Sequence, residues 1–149
     1  MKRLILVAVL MSSAFLPMAY LAAHCEVPCG IYDDGARFTE MKEDQSTIAK
    51  AQAKINELAG THEANGQNQL VRWITTKEAH ATNTQHIIAQ YFMTQKLKAD
   101  GEHYVDKLTA AHGVLVAAMK CKQTADPATA EALKAAIAKF ETAYVGHAH

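Results

Sequence analysis

Nine consecutive residues hold most of the chemistry this 149-residue chain can do: His24-Cys25-Glu26-Val27-Pro28-Cys29-Gly30-Ile31-Tyr32. A cut after Ala23 would give His24 a free α-amine. That amine, the amide nitrogen of Cys25 and the Cys25 thiolate follow one another along the chain. Binding all three closes two five-membered chelate rings. Cys29 lies across a turn set by Pro28 and Gly30, and its thiolate can reach the fourth corner of a plane. The His24 imidazole is then left to approach along the axis. Two nitrogens and two sulfurs in a plane point to Ni(II) or Cu(II), whereas a tetrahedral sulfur-rich set points to zinc or iron–sulfur. Thiolate and ionised amide are strong electron donors that stabilise the oxidised ion and lower its reduction potential. Thiolates also accept copper(I) and zinc, so donor type leaves the metal partly open.

The cut after Ala23 has its own basis in the sequence. Lys2 and Arg3 open the chain, Leu4 to Leu16 is apolar but for Ser12 and Ser13, and Ala19-Tyr20-Leu21-Ala22-Ala23 comes after Pro17. This is the layout of a secretory signal peptide, so residues 1–23 are expected to be removed and the mature chain to be exported, to the periplasm. An uncleaved anchor is the competing reading, but the apolar run is short for a membrane span. A lipoprotein cut before Cys25 would need a small residue where His24 stands.

Formal net charge is zero, and removing residues 1–23 takes away Lys2 and Arg3 but no acid, leaving −2. No basic stripe marks a nucleic-acid partner, and after signal removal no membrane association is expected. His62, His86, His103, His112, His147 and His149 lack metal-ligand spacing, and there is no H-E-x-x-H. Cys121 reads as a buried or idle thiol. In an oxidising compartment Cys25 and Cys29 could instead pair as a disulfide, but so small a loop removes little chain entropy.

Half the chain is hydrophobic, with few Gly and Pro, which favours helices. Residues 24–36 read as a turn-rich segment, with Asp34 as a cap for the first helix. That helix is expected over 37–59, with Met41, Ile48 and Ile55 repeating every seven residues beside Ala51 and Leu58. A second is expected over 67–99, with Leu70, Trp73, Ile74, Ile87, Ile88, Tyr91 and Phe92 on its buried face. A third is expected over 102–122, with Val105, Leu108, His112, Leu115 and Met119 inward. A fourth starts at the Asp126 cap and Pro127, carries Leu133, Ile137, Phe140 and Tyr144, and stops at Gly146. The predicted fold is all-α: an antiparallel four-helix bundle over 37–149, preceded by a metal-binding hook over 24–36.

The segment from His24 to Tyr32 resembles the nickel hook of nickel superoxide dismutases, His-Cys-x-x-Pro-Cys-Gly-x-Tyr at the mature N-terminus, and matches it at every fixed position. Lys77-Glu78, Tyr91-Phe92 and Asp126-Pro127-Ala128-Thr129 sit where similar family segments are expected. The resemblance implies a nickel enzyme that dismutates superoxide to dioxygen and hydrogen peroxide, built as a four-helix bundle and assembled as a homohexamer. It implies metal ligation by His24, Cys25 and Cys29, with a cis bond at Pro28. It places Tyr32 on the approach to the metal and makes Glu40 the carboxylate that supports the axial imidazole. Where some members carry an Arg partner for that carboxylate, this chain has His80. A gap in the correspondence falls between His80 and Tyr91, a candidate second tyrosine near the site. Many members begin with a short propeptide; residues 1–23 look like an export signal instead.

Two other functions share parts of this pattern. One is a non-catalytic exported nickel- or copper-binding bundle with the same ligands. The other is a helical bundle with a Cys25–Cys29 redox switch. Neither requires a terminal histidine followed at once by cysteine. Global charge offers a superoxide anion no attraction, so any steering would fall to local lysines such as Lys42 or Lys77.

Overall fold

The computed structural model describes residues 33–146. They form α1 (Asp34–Leu58), α2 (Ala64–His86), a π-helix (Ile87–Lys96) that continues α2, α3 (Tyr104–Gln123) and α4 (Pro127–Val145). No strand occurs among the described residues.

Each helix packs on its neighbour in sequence, and α4 closes back on α1. Side-chain bonds show that the pairs run antiparallel. Asp44 in the first half of α1 meets His80 and Thr84 toward the end of α2. Gln85 reaches the Leu115 carbonyl, while Lys77 reaches that of Cys121. Lys42 pairs with Glu141 and Gln45 with the Ala130 carbonyl. The predicted antiparallel four-helix bundle is therefore observed.

Local chemistry sets the ends. Asp33, not Asp34, caps α1, accepting from the Ala36 amide at 2.8 Å; Asp34 is the first helical residue, three positions before the expected start. Asp126 caps α4 by accepting from the Ala128 amide at 2.9 Å, with Pro127 in the first turn as expected. His103 enters α3 in the left-handed region at φ 55°.

The core matches expectation at Met41, Ile48 and Ala51 of α1, at Ile87, Ile88, Tyr91 and Phe92 of the π-helix and along most of α4, and departs from it on α3 and in the first part of α2. Leu133, Ile137 and Phe140 are buried, as are Met41 and Ile48. Phe92 sits among Phe38, Tyr91, Phe140 and Tyr144, with ring centroids 4.9–5.1 Å away. On α3, however, the buried stripe is Ala110, Ala111, Val114, Ala117, Ala118 and Cys121; Val105 is 70% and Met119 41% exposed, and His112 is exposed too. The buried stripe of α3 is thus built mainly of small side chains, and the larger Val105 and Met119 lie off it. On α2, Ile74 is exposed and Leu70 and Trp73 only half-buried; Lys77, Ala81 and Thr84 face inward instead.

A polar seam joins α1 to α4. Gln45 Nε2 donates to the Ala130 carbonyl, Gln52 Nε2 to Thr129 Oγ1 and Asn56 Nδ2 to the Ala125 carbonyl. Gln52 therefore takes a buried place on the stripe, while Ile55 is half-exposed.

Candidate functional site

The start of α1 carries the residues nearest in sequence to the hook. Asp34, Arg37, Glu40 and Asp44 recur at steps of three and four, so they share one side of the helix. They organise two polar groups.

The first is centred on Glu40 and Asp44. Glu40 Oε2 pairs with Arg37 Nη1 at 2.5 Å, and Glu40 Oε1 accepts from Asn83 Nδ2 at 3.0 Å. The same Asn83 nitrogen donates to Asp44 Oδ2 at 3.0 Å, and Thr84 Oγ1 donates to that oxygen at 3.1 Å. Asp44 Oδ1 lies 2.6 Å from His80 Nδ1. Asp44 is 5% exposed in its side chain, His80 38%. Asp44, Ala79, His80 and Asn83 line an open cavity of about 190 Å³. Glu40 and His80 thus belong to one network, but Asn83 and Asp44 connect them.

The second group is centred on Asp34. Tyr91 donates its hydroxyl to Asp34 Oδ1, Tyr144 donates to Oδ2 at 2.8 Å, and Lys96 Nζ stands 3.2 Å from Oδ1. Burial raises the Asp34 carboxyl, but the hydrogen bonds from Tyr91, Tyr144 and Lys96, with the lysine charge, bring it below its usual range. Burial, then the hydrogen bond to Asp34 and its charge, push both tyrosine hydroxyls well above theirs. Both remain donors at neutral pH. Tyr91 is 2% exposed. Arg37 ties the two groups together: its guanidinium, bonded to Glu40, lies 5.9 Å from the Tyr91 ring centroid.

The π-helix makes the second group possible. Leu97 N–H bonds to the Phe92 carbonyl five residues back, and the Thr94 and Gln95 side chains also bond five residues back. In an α-helix, residues five apart stand about 140° apart around the axis. The wider π winding brings Tyr91 and Lys96 onto one side, where both reach Asp34. This segment begins between His80 and Tyr91, where the family correspondence has its gap.

His24, Cys25, Cys29 and Tyr32, with Pro28, lie outside the described residues. Among the described residues, no group of three His, Cys, Asp or Glu could hold a metal ion. Cys121 is fully buried and its thiol points to the Thr129 carbonyl at 3.3 Å; burial pushes it above its usual range. Lys77 is 4% exposed and spends its ammonium on the carbonyls of Cys121 and Lys122, each at 2.7 Å, and on Glu78 at 3.0 Å. It is a helix cap, which corrects its reading as a steering lysine. Lys42 pairs with Glu141 at 2.7 Å.

Sequence reading selected Glu40 and His80 but missed Arg37, Asp44 and Asn83, and took Asp34 for a cap. The available signal was spacing: Glu40 to Asp44 by four, and His80 to Asn83 and Thr84 by three and four, each putting its members on one helix side.

The family profile for nickel-containing superoxide dismutase matches residues 19–148 of the chain. Searches of curated proteins and of solved structures returned no match.

Proposed function

The chain belongs to the nickel-containing superoxide dismutase family, and from that premise we propose that His24, Cys25 and Cys29 hold its nickel, with Tyr32, Glu40 and His80 in support. The protein is a nickel-dependent oxidoreductase that converts superoxide to dioxygen and hydrogen peroxide. When bound at these residues, nickel would supply the one-electron exchange between Ni(III) and Ni(II) that the reaction needs.

The observation that carries the ligand assignment is the position of Cys121. Aquated nickel is too hard to oxidise to exchange electrons with superoxide, so thiolate donors suit the task. The chain has three cysteines. One is buried in the α3 seam, bonded to a carbonyl and held protonated. Cys25 and Cys29 are left to provide sulfur, and the residue before Cys25 is the histidine that adds amine and imidazole. This donor set fits nickel.

The remaining residues have supporting roles in this reading. Glu40, its two oxygens fixed by Arg37 and Asn83, would be the oriented carboxylate that supports the His24 imidazole when nickel is bound, the role the family resemblance implies. By the same resemblance, Tyr32 would help order water or substrate near the bound nickel. Tyr91 has a structural part, since its hydroxyl is committed to Asp34.

We also assign residues 1–23 to an export signal, cut after Ala23, and the mature protein to the periplasm. No described helix is long and apolar enough to cross a membrane. The domain plan is a hook over 24–36 and a bundle over 37–149, its first helix already begun at Asp34. Val71 and Ile74, exposed beside half-buried Leu70 and Trp73, leave an apolar stretch on α2 that supports a homo-oligomer, a hexamer by family resemblance.

The test is the superoxide-consumption rate of the nickel-loaded chain beginning at His24, beside one extended by a single residue before His24. The first turns over superoxide at about one nickel per chain; the extension turns the amine into an amide and abolishes turnover. Equal rates in the two would overturn the ligand assignment.

A further inference from the structure

We propose that Asp44 is a positioning residue: it fixes the tautomer of His80 and, through Asn83, the orientation of Glu40. The proposal rests on the assignment of His80 and Glu40 to the support of the metal site.

Asp44 is a buried carboxylate whose hydrogen-bond partners are unevenly distributed. Oδ2 accepts from both Asn83 Nδ2 and Thr84 Oγ1, and Oδ1 faces only His80 Nδ1. An ionised carboxylate only accepts. The 2.6 Å contact therefore makes Nδ1 the N–H of the ring, and the neutral ring carries its lone pair on Nε2. His80 then presents a basic nitrogen in a fixed direction. Asn83 extends the same control to Glu40. Its two amide hydrogens serve two carboxylates at 3.0 Å each, so its side-chain oxygen cannot turn toward either without breaking both bonds.

The uneven distribution of donors also dictates what Asp44→Asn does. The new amide has one oxygen. Two donors, Asn83 and Thr84, converge on the Oδ2 position and hold the oxygen there. The amide nitrogen is left at the Oδ1 position, where it donates to His80 Nδ1. That nitrogen becomes the acceptor and the ring proton moves to Nε2. A substitution that conserves shape thus inverts the tautomer, as expected wherever a carboxylate that orients a histidine becomes an amide.

The experiment is nitrogen NMR of histidine-labelled, reduced nickel-loaded protein at a pH where the ring is neutral, with His80 assigned from His80→Gln. The wild type is expected to show protonated Nδ1, and Asp44→Asn protonated Nε2. Superoxide turnover in Asp44→Asn is expected to fall about tenfold at unchanged nickel content, with no further loss when it is added to His80→Gln. Protonated Nε2 in the wild type overturns the proposal without any variant, as does an unchanged tautomer in Asp44→Asn. An equal Asp44→Asn loss with and without His80 shows that Asp44 does not act through the ring, and also overturns it. A wild-type rate in His80→Gln would instead fail the functional reading of His80, which the tautomer measurement keeps separate.

Discussion

Replacing Lys77 with Met separates two roles a lysine in this chain can have. The side chain is 5% exposed, and its ammonium donates to the carbonyls of Cys121 and Lys122 and to Glu78. Those carbonyls lie in the last turn of α3, where no backbone N–H of the helix can reach them. Met has nearly the same length and no donor. Losing a buried carbonyl's partner costs about 1–3 kcal/mol. The second, part-buried carbonyl costs less, and the missing cation gives up a favourable interaction with the helix end of about 0.3–1 kcal/mol. Against this, the folded state no longer desolvates an ammonium. The balance is a loss of about 2–3 kcal/mol, a fall in Tm of about 8–12 °C for a domain of this size. The assay is thermal unfolding of the metal-free protein by circular dichroism, with kcat/KM of the nickel-loaded protein measured across ionic strength. The reasoning requires a lower Tm and a kcat/KM whose salt dependence matches wild type. An unchanged Tm with a loss of kcat/KM confined to low salt would refute it, because that is the signature of steering.

The Asp34 group sets two pH limits. The Tyr91 and Tyr144 hydroxyls are held above their unfolded value, so their contribution is full below about pH 10 and is lost as pH rises beyond it. In a spectrophotometric titration these two tyrosines ionise only with unfolding, and Asp34→Asn brings both down. The Asp34 carboxyl is held below its unfolded value, so its contribution is present above about pH 4 and is lost as pH falls through the folded value; Asp34→Asn flattens that acid limb. In a Cys25→Ser, Cys29→Ser variant the remaining thiol, Cys121, should react with a thiol reagent only after denaturant is added. Rapid labelling under native conditions would contradict its burial.

The helices were legible in the sequence where local chemistry decides them. Asp126 and Pro127 marked the start of α4 because a cap and a fixed φ act within one turn. The apolar edge of α4 held for the same kind of reason, since Leu133, Ile137 and Phe140 are large and regularly spaced. On α3 the larger residues misled. A helix that packs through alanines buries its smallest stripe, and periodicity weighted by hydrophobic size points elsewhere. The inward turn of Lys77 depends on where α3 ends, which is a tertiary fact. Glu40 and His80 entered through resemblance, but Asn83 and Asp44 emerge only when α1 and α2 are laid side by side. The π winding had no local sign, because a shift of hydrogen-bond register is selected by what the side chains reach.

The same π-helix has a dynamic consequence. Tyr91 and Lys96 meet Asp34 only while the segment keeps its five-residue register. If one turn opens, both partners leave the carboxylate together, and Tyr144 alone of the three donors still holds Asp34. The root of α1 and the π segment therefore form one cooperative unit for local opening. Fluctuations in the π segment therefore reach the first residue of α1 as a single event.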